Sequence, residues 1–195
     1  EDNLVFYYSG HGVAHPATGR GFWVPADAVD GDFSTYLNNL DVIDFLRNLK
    51  ARHIFGIVDS CFSATLFAQR SLDAATRRQY SIPSRWLLTA GRLEPVSDGS
   101  LGRHSPFAES LLQQLRYQEE PALWGSDLCG KVLRGVVYNT DKQMPRGEPL
   151  QDTGHQGGEF VFLRKGQATA AVDLSGSQEA EVTAIKPPTF IPASE

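Results

Sequence analysis

Cysteine, basic surplus and long apolar runs are scarce in this chain. Two cysteines, Cys61 and Cys129, occur in 195 residues, so a framework of disulfide bridges is excluded. That usage fits a reducing, cytoplasmic setting better than a secreted, bridge-built one. No stretch reaches the roughly 18 consecutive apolar residues of a membrane-spanning helix, and no signal peptide is visible. Lys and Arg number 18 against 23 Asp and Glu, a formal net charge of −5. This argues against nucleic acid as the direct partner. No internal repeat breaks the chain into units.

What is present suits one folded domain with an appendage. The chain is 41% hydrophobic and 21% charged, ordinary for a globular protein. From Gly166 onward it turns to Ala, Ser, Glu, Thr and Pro, including Pro187-Pro188. That is linker composition. The expected division is a domain over 1–165 and a tail over 166–195 that leads toward another domain of the same polypeptide.

The domain is organised around His53 to Ala64, H-I-F-G-I-V-D-S-C-F-S-A. Ile54 to Val58 run without a charge and stop abruptly at Asp59-Ser60-Cys61, as a strand buried on both faces of a parallel sheet would. In open α/β sheets, chemistry sits at the carboxyl ends of strands. Cys61 is therefore a candidate nucleophile. A second run, Leu4-Val5-Phe6-Tyr7-Tyr8, ends in Ser9-Gly10-His11-Gly12. Neighbouring parallel strands would place the His11 imidazole beside the Cys61 thiol, and the flanking glycines permit close approach.

These two segments, Y-Y-S-G-H-G and I-V-D-S-C-F-S-A, resemble the caspase-like cysteine peptidases, most nearly the bacterial metacaspase-like branch of peptidase family C14. The 50 positions between His11 and Cys61 agree with the interval in caspases. Leu87 to Leu112 is similar to the strand, loop and helix that follow the cysteine in that branch. Gln143 to Leu163, with Q-M-P-R-G-E-P and G-H-Q-G-G-E-F-V-F-L, resembles its last strand region. The departures are Phe62 and Ala64 after the cysteine, and a front end with only Glu1, Asp2 and Asn3 before the histidine strand, where the family has further strands.

The resemblance implies a three-layer α/β/α caspase-like fold with a mostly parallel sheet, N-terminally truncated. Strands are expected near residues 3–8, 53–58, 85–90 and 159–163, with the front edge of the sheet open. It implies a cysteine endopeptidase acting on protein substrates. Cys61 would attack, His11 would act as base and then acid, and the backbone N–H groups of Gly12 and Cys61 would hold the oxyanion. Asp59, two residues before the cysteine, matches the acid that selects Arg or Lys in metacaspases and paracaspases. Glu94 and Asp98, on the loop after the next strand, are candidates to complete that pocket. No cofactor is implied. Since some metacaspases need calcium, Asp27, Asp30 and Asp32 are calcium candidates, although their spacing is not that of an EF-hand. The alternative function is a catalytically silent caspase-like module used for binding or scaffolding.

Other elements follow from pattern. Leu37, Leu40, Ile43, Leu46 and Leu49 recur at helical spacing, with Asp41 as cap or first-turn acid. Ser105-Pro106 is an N-cap followed by proline at the first helical position. It opens a helix with Phe107, Leu111, Leu112 and Leu115. A second helical pattern runs from Trp124 to Tyr138, with Cys129 as a small buried hydrophobe. His15 reads as a solvated loop histidine.

Overall fold

The computed structural model describes residues 2–61, 82–91, 103–120, 122–141 and 143–164. The main sheet has four strands: β1 (Asn3–Ser9), β5 (His53–Asp59), β6 (Ser84–Thr89) and β8 (Arg146–Pro149), in the order β1-β5-β6-β8. The first three are parallel and β8 is antiparallel to β6. All seven residues of β5 are buried, as its uncharged run requires.

Side chains alternate across the strands and so feed two cores. On one face Ile54, Val58, Leu87 and Leu150 pack with Trp23 and Leu46, joined by Leu4, Phe6 and Tyr8 of β1. Helix α1 (Asn39–Asn48) covers this face through Val42, Ile43 and Leu46. On the other face Phe55, Ile57 and Leu88 pack against α2 (Pro106–Arg116) and α3 (Gly125–Asn139) through Phe107, Leu111, Leu128, Val132 and Val136. The result is the three-layer α/β/α arrangement expected from the sequence. Cys129 is fully part of the second core, 2% exposed.

A small antiparallel sheet, β2 (His11–Ala14), β3 (Gly21–Val24) and β4 (Leu37–Asn38), follows directly from β1. Its first hairpin turns through the H-P-A-T-G-R loop, closed by the His15 amide donating to the Arg20 carbonyl at 2.8 Å. Gly19 there has φ of 66°, which glycine adopts without strain. His15 lies against Phe33, with ring centroids 4.7 Å apart.

Two expectations need correction. The strand placed at 159–163 does not enter the main sheet. Strand β9 (Val161–Leu163) instead pairs antiparallel with β7 (Ala122–Trp124). Phe160 and Phe162 meet their need for burial by lying on Phe55, at 5.5 and 5.2 Å, rather than by joining its sheet. The fourth place is taken by R-G-E-P of β8, an edge position where proline is tolerated. In α1 the N-cap is Asn38, whose side chain accepts from the Leu40 amide at 2.9 Å, and Asp41 takes the first-turn place, one of its two expected positions. Leu37 and Leu40 face outward, about half exposed, because the packed stripe is Val42, Ile43, Leu46 and Leu49.

The opposite end of the sheet is tied by one cation. Arg85, 5% exposed, donates to the carbonyls of Ala51 and Arg52 at 2.9 and 3.0 Å and of Leu49 at 3.3 Å. This fastens the turn between α1 and β5 to β6. The Arg85 amide donates to Nδ1 of His155 at 3.0 Å. Burial, and then the Arg85 charge, hold His155 down at about 4.

Candidate active site

The parallel register aligns the carboxyl ends of β1, β5 and β6. Ser9 pairs with Asp59, and Val58 with Thr89. Segment 9–12 therefore leaves β1 beside segment 59–61 leaving β5. The Gly10 amide donates to the Asp59 carbonyl at 3.3 Å. At the next step the two backbones are in contact. A Cβ added to Gly12 would overlap the Cys61 carbonyl oxygen and the Ser60 hydroxyl. Glycine at position 12 is thus a packing requirement, and it brings His11-Gly12 and Ser60-Cys61 together.

His11 is the first residue of β2 and is exposed; Gly12 is buried; Cys61 is partly exposed at the end of β5. The His11 backbone is held from below by Tyr8. The Tyr8 hydroxyl lies between the His11 carbonyl at 2.9 Å and the Val24 carbonyl at 3.2 Å and shares its one proton between them. His11 and Val24 are register partners across β2 and β3, so one hydroxyl holds both members of the pair. The Tyr8 ring is itself stacked on Trp23, 4.5 Å between centroids at 19°. Burial raises the Tyr8 phenol above its ordinary value, so it stays a donor.

A cavity of about 390 Å³ opens beside these strand ends. Its wall includes His11, Asp59, Tyr7, Ser105, Arg103 and His104. Asp59 is 8% exposed. Its Oδ2 accepts from the Ser105 hydroxyl at 2.6 Å and from the Tyr7 hydroxyl at 3.4 Å. Desolvation, then the Asp59 charge, raise the Tyr7 phenol. A carboxylate so placed, at the wall of a cavity that His11 also bounds, offers a negative charge to a cationic side chain.

The remaining candidates divide plainly. Glu94 and Asp98 lie outside the described residues. Asp27, Asp30 and Asp32 are all exposed. Asp32 caps the short turn Phe33–Thr35, accepting from the Ser34 hydroxyl at 2.6 Å and its amide at 3.0 Å, and those bonds hold its carboxyl below the ordinary carboxylate pKa. Among the described residues no three His, Cys, Asp or Glu side chains converge as a metal site would need. No helix among them is long and apolar enough to cross a membrane. Cys129 is far from nucleophilic: burial, then the Glu159 charge, push its thiol well above the ordinary range.

Sequence reading missed Tyr7, Tyr8 and Ser105 as parts of the site. The tyrosines were legible only as strand residues. Alternation sends one to each face, which gives Tyr8 to His11 and Tyr7 to Asp59. Ser105 was legible as a helix cap, but nothing local links it to a residue 46 positions earlier.

Comparison with known families gives the class. The caspase domain model, Peptidase C14, matches residues 1–150. The chain belongs to this family of cysteine peptidases, and its mixed α/β fold with a mostly parallel central sheet is the one expected of it. No curated protein matches it closely enough to lend it a substrate.

Proposed function

We propose that the chain is a cysteine endopeptidase that cuts polypeptides after arginine, and less readily after lysine, with Cys61 and His11 as a dyad. The observation that carries this is the contact between Gly12 and the Cys61 backbone, with His11 and the buried Asp59 bounding one cavity.

In this mechanism His11 takes the Cys61 proton, and the thiolate attacks the scissile carbonyl carbon. The carbonyl oxygen becomes an oxyanion, held by the backbone N–H groups of Gly12 and Cys61. Donors of this kind contribute about 3 kcal/mol of barrier each. His11 then gives its proton to the leaving amine nitrogen as the C–N bond breaks, leaving a thioester on Cys61. Water, deprotonated by His11, attacks the thioester carbonyl. The acid product leaves and the thiol is restored.

Asp59 supplies the specificity. A guanidinium in the cavity gains a charge-assisted bond to a carboxylate already removed from water. An acidic side chain would meet like charge there. Glu94 and Asp98 are candidates to share that work. Digestion of a peptide library, with Cys61→Ala as control, tests the function. Cuts clustered after arginine that vanish in the control are expected. Cuts after aspartate, or none from the intact chain, would overturn it.

A further inference from the structure

The Asp59 carboxylate is not simply buried; it is aimed. Its Oδ2 receives the Ser105 hydroxyl at 2.6 Å, a short bond of the charge-assisted kind. The same Ser105 oxygen caps α2, accepting from the Ala108 amide at 3.0 Å. A serine hydroxyl carries one proton. With a lone pair committed to the Ala108 amide, that proton is left for Asp59. A directed chain results, from helix amide to hydroxyl to carboxylate. It passes some of the positive character of the α2 N-terminus to the acid. Tyr7 adds a second donor to the same oxygen from β1, at 3.4 Å. The three side chains come from β1, β5 and the N-cap of α2, and all border the cavity that His11 borders.

We propose that Ser105 and Tyr7 are positioning residues for substrate selection. They fix the Asp59 carboxylate in the orientation that meets the cationic side chain of the residue before the cut. This rests on the reading of Asp59 as the acid that receives that side chain. A carboxylate held less firmly about its last torsion would keep its charge but lose its alignment. Selectivity for arginine would then fall while the chemistry at Cys61 stayed intact.

The test uses the full chain and two peptides that differ only before the cut, arginine in one and norleucine in the other. Ser105→Ala should raise KM for the arginine peptide about 3- to 10-fold, with kcat changed less than about twofold, and leave the norleucine peptide unaffected. Tyr7→Phe should act in the same direction by about twofold. Its ring is half exposed and caps nothing, so it reports on Asp59 without the helix. Ser105→Thr keeps both the donor and the cap and should restore the arginine preference. Equal losses on both peptides in Ser105→Ala, with no effect of Tyr7→Phe, would mean that Ser105 only caps α2, and would overturn the proposal. Should Ser105→Ala not fold, Tyr7→Phe and Ser105→Thr decide. Asp59→Asn separates the two levels. If it collapses the arginine preference while Ser105 and Tyr7 variants do not, positioning alone is wrong. If it leaves the preference unchanged, the pocket reading fails and the positioning role with it.

Discussion

Tyr8 holds His11 by its backbone. One phenol hydroxyl spans the His11 and Val24 carbonyls at 2.9 and 3.2 Å, and Trp23 fixes the ring that carries it. The proposed base is therefore anchored to the small sheet through the residue three positions before it. Tyr8→Phe keeps the stack and removes only the hydroxyl. It should cost about 0.5–1.5 kcal/mol of stability, read by denaturant unfolding. Peptide cleavage should fall further than that loss of folded protein explains, because the imidazole gains freedom. Cleavage unchanged in Tyr8→Phe would mean that β2 alone holds His11.

Reactivity should divide the two cysteines. Cys61→Ala and His11→Ala should each abolish cleavage. Cys129→Ala should keep it, with a stability loss of about 1 kcal/mol from the small cavity. A thiol-reactive peptide ketone carrying arginine should label Cys61, read by peptide mass mapping. Burial keeps Cys129 protonated, so it should stay unlabelled in folded protein at pH 8. Label found on Cys129 alone would sink the nucleophile assignment.

The acid in the cavity should control what is cut. Truncating one partner of a buried, hydrogen-bonded charge pair costs about 2–5 kcal/mol. Asp59→Ala should accordingly lower kcat/KM for arginine peptides by roughly 30-fold or more, at about 1.4 kcal/mol per decade. Neutral peptides should change much less. Glu94→Ala and Asp98→Ala, made separately, identify which acid shares the load. An arginine preference that survives Asp59→Ala would remove Asp59 from the pocket.

Acid should loosen the far end of the sheet through His155. Its folded value is depressed to about 4, against about 6.5 when free. The folded state thus binds fewer protons than the unfolded one between those values. The stability tied to His155 is intact above about pH 6.5 and is lost as pH falls toward about 4. With solvent screening allowed for, the loss is roughly 1–2 kcal/mol. His155→Gln should flatten this part of the Tm profile between pH 6.5 and 4. A profile that keeps its slope in His155→Gln would assign the acid sensitivity elsewhere.

Much of the layout was legible because its signals are local. Ile54 to Val58 could only be an interior strand, and Asp59-Ser60-Cys61 had to emerge at its carboxyl end. Ser105-Pro106 announced α2 by chemistry that acts within four residues. What was not legible depends on pairing across distance. R-G-E-P has no apolar run, so its composition does not mark Arg146–Pro149 as the neighbour of β6, although the resemblance puts the last strand region within Gln143 to Leu163. E-F-V-F-L has such a run, yet Phe160 and Phe162 spend it on the face of Phe55. The bonds from Tyr7 and Ser105 to Asp59 join segments that only the fold brings together. That the strand ends carrying His11 and Cys61 are neighbours was legible, as was the room for close approach left by the glycines around His11; that Gly12 in particular meets the Cys61 backbone was not.

That contact makes position 12 a spacer gauge one methyl wide. Gly12→Ala removes no polar group and changes no charge, yet the added carbon needs the space that the Cys61 carbonyl and the Ser60 hydroxyl occupy. The strand ends would have to part, while both sheet cores, which lie behind them, stay filled. Such a chain should behave as two reagents rather than one catalyst. Its Cys61 thiol should still react with a small alkylating agent, and its peptide-cleaving activity should drop at least about 100-fold, as a displacement of about 1 Å at a reacting pair can cost.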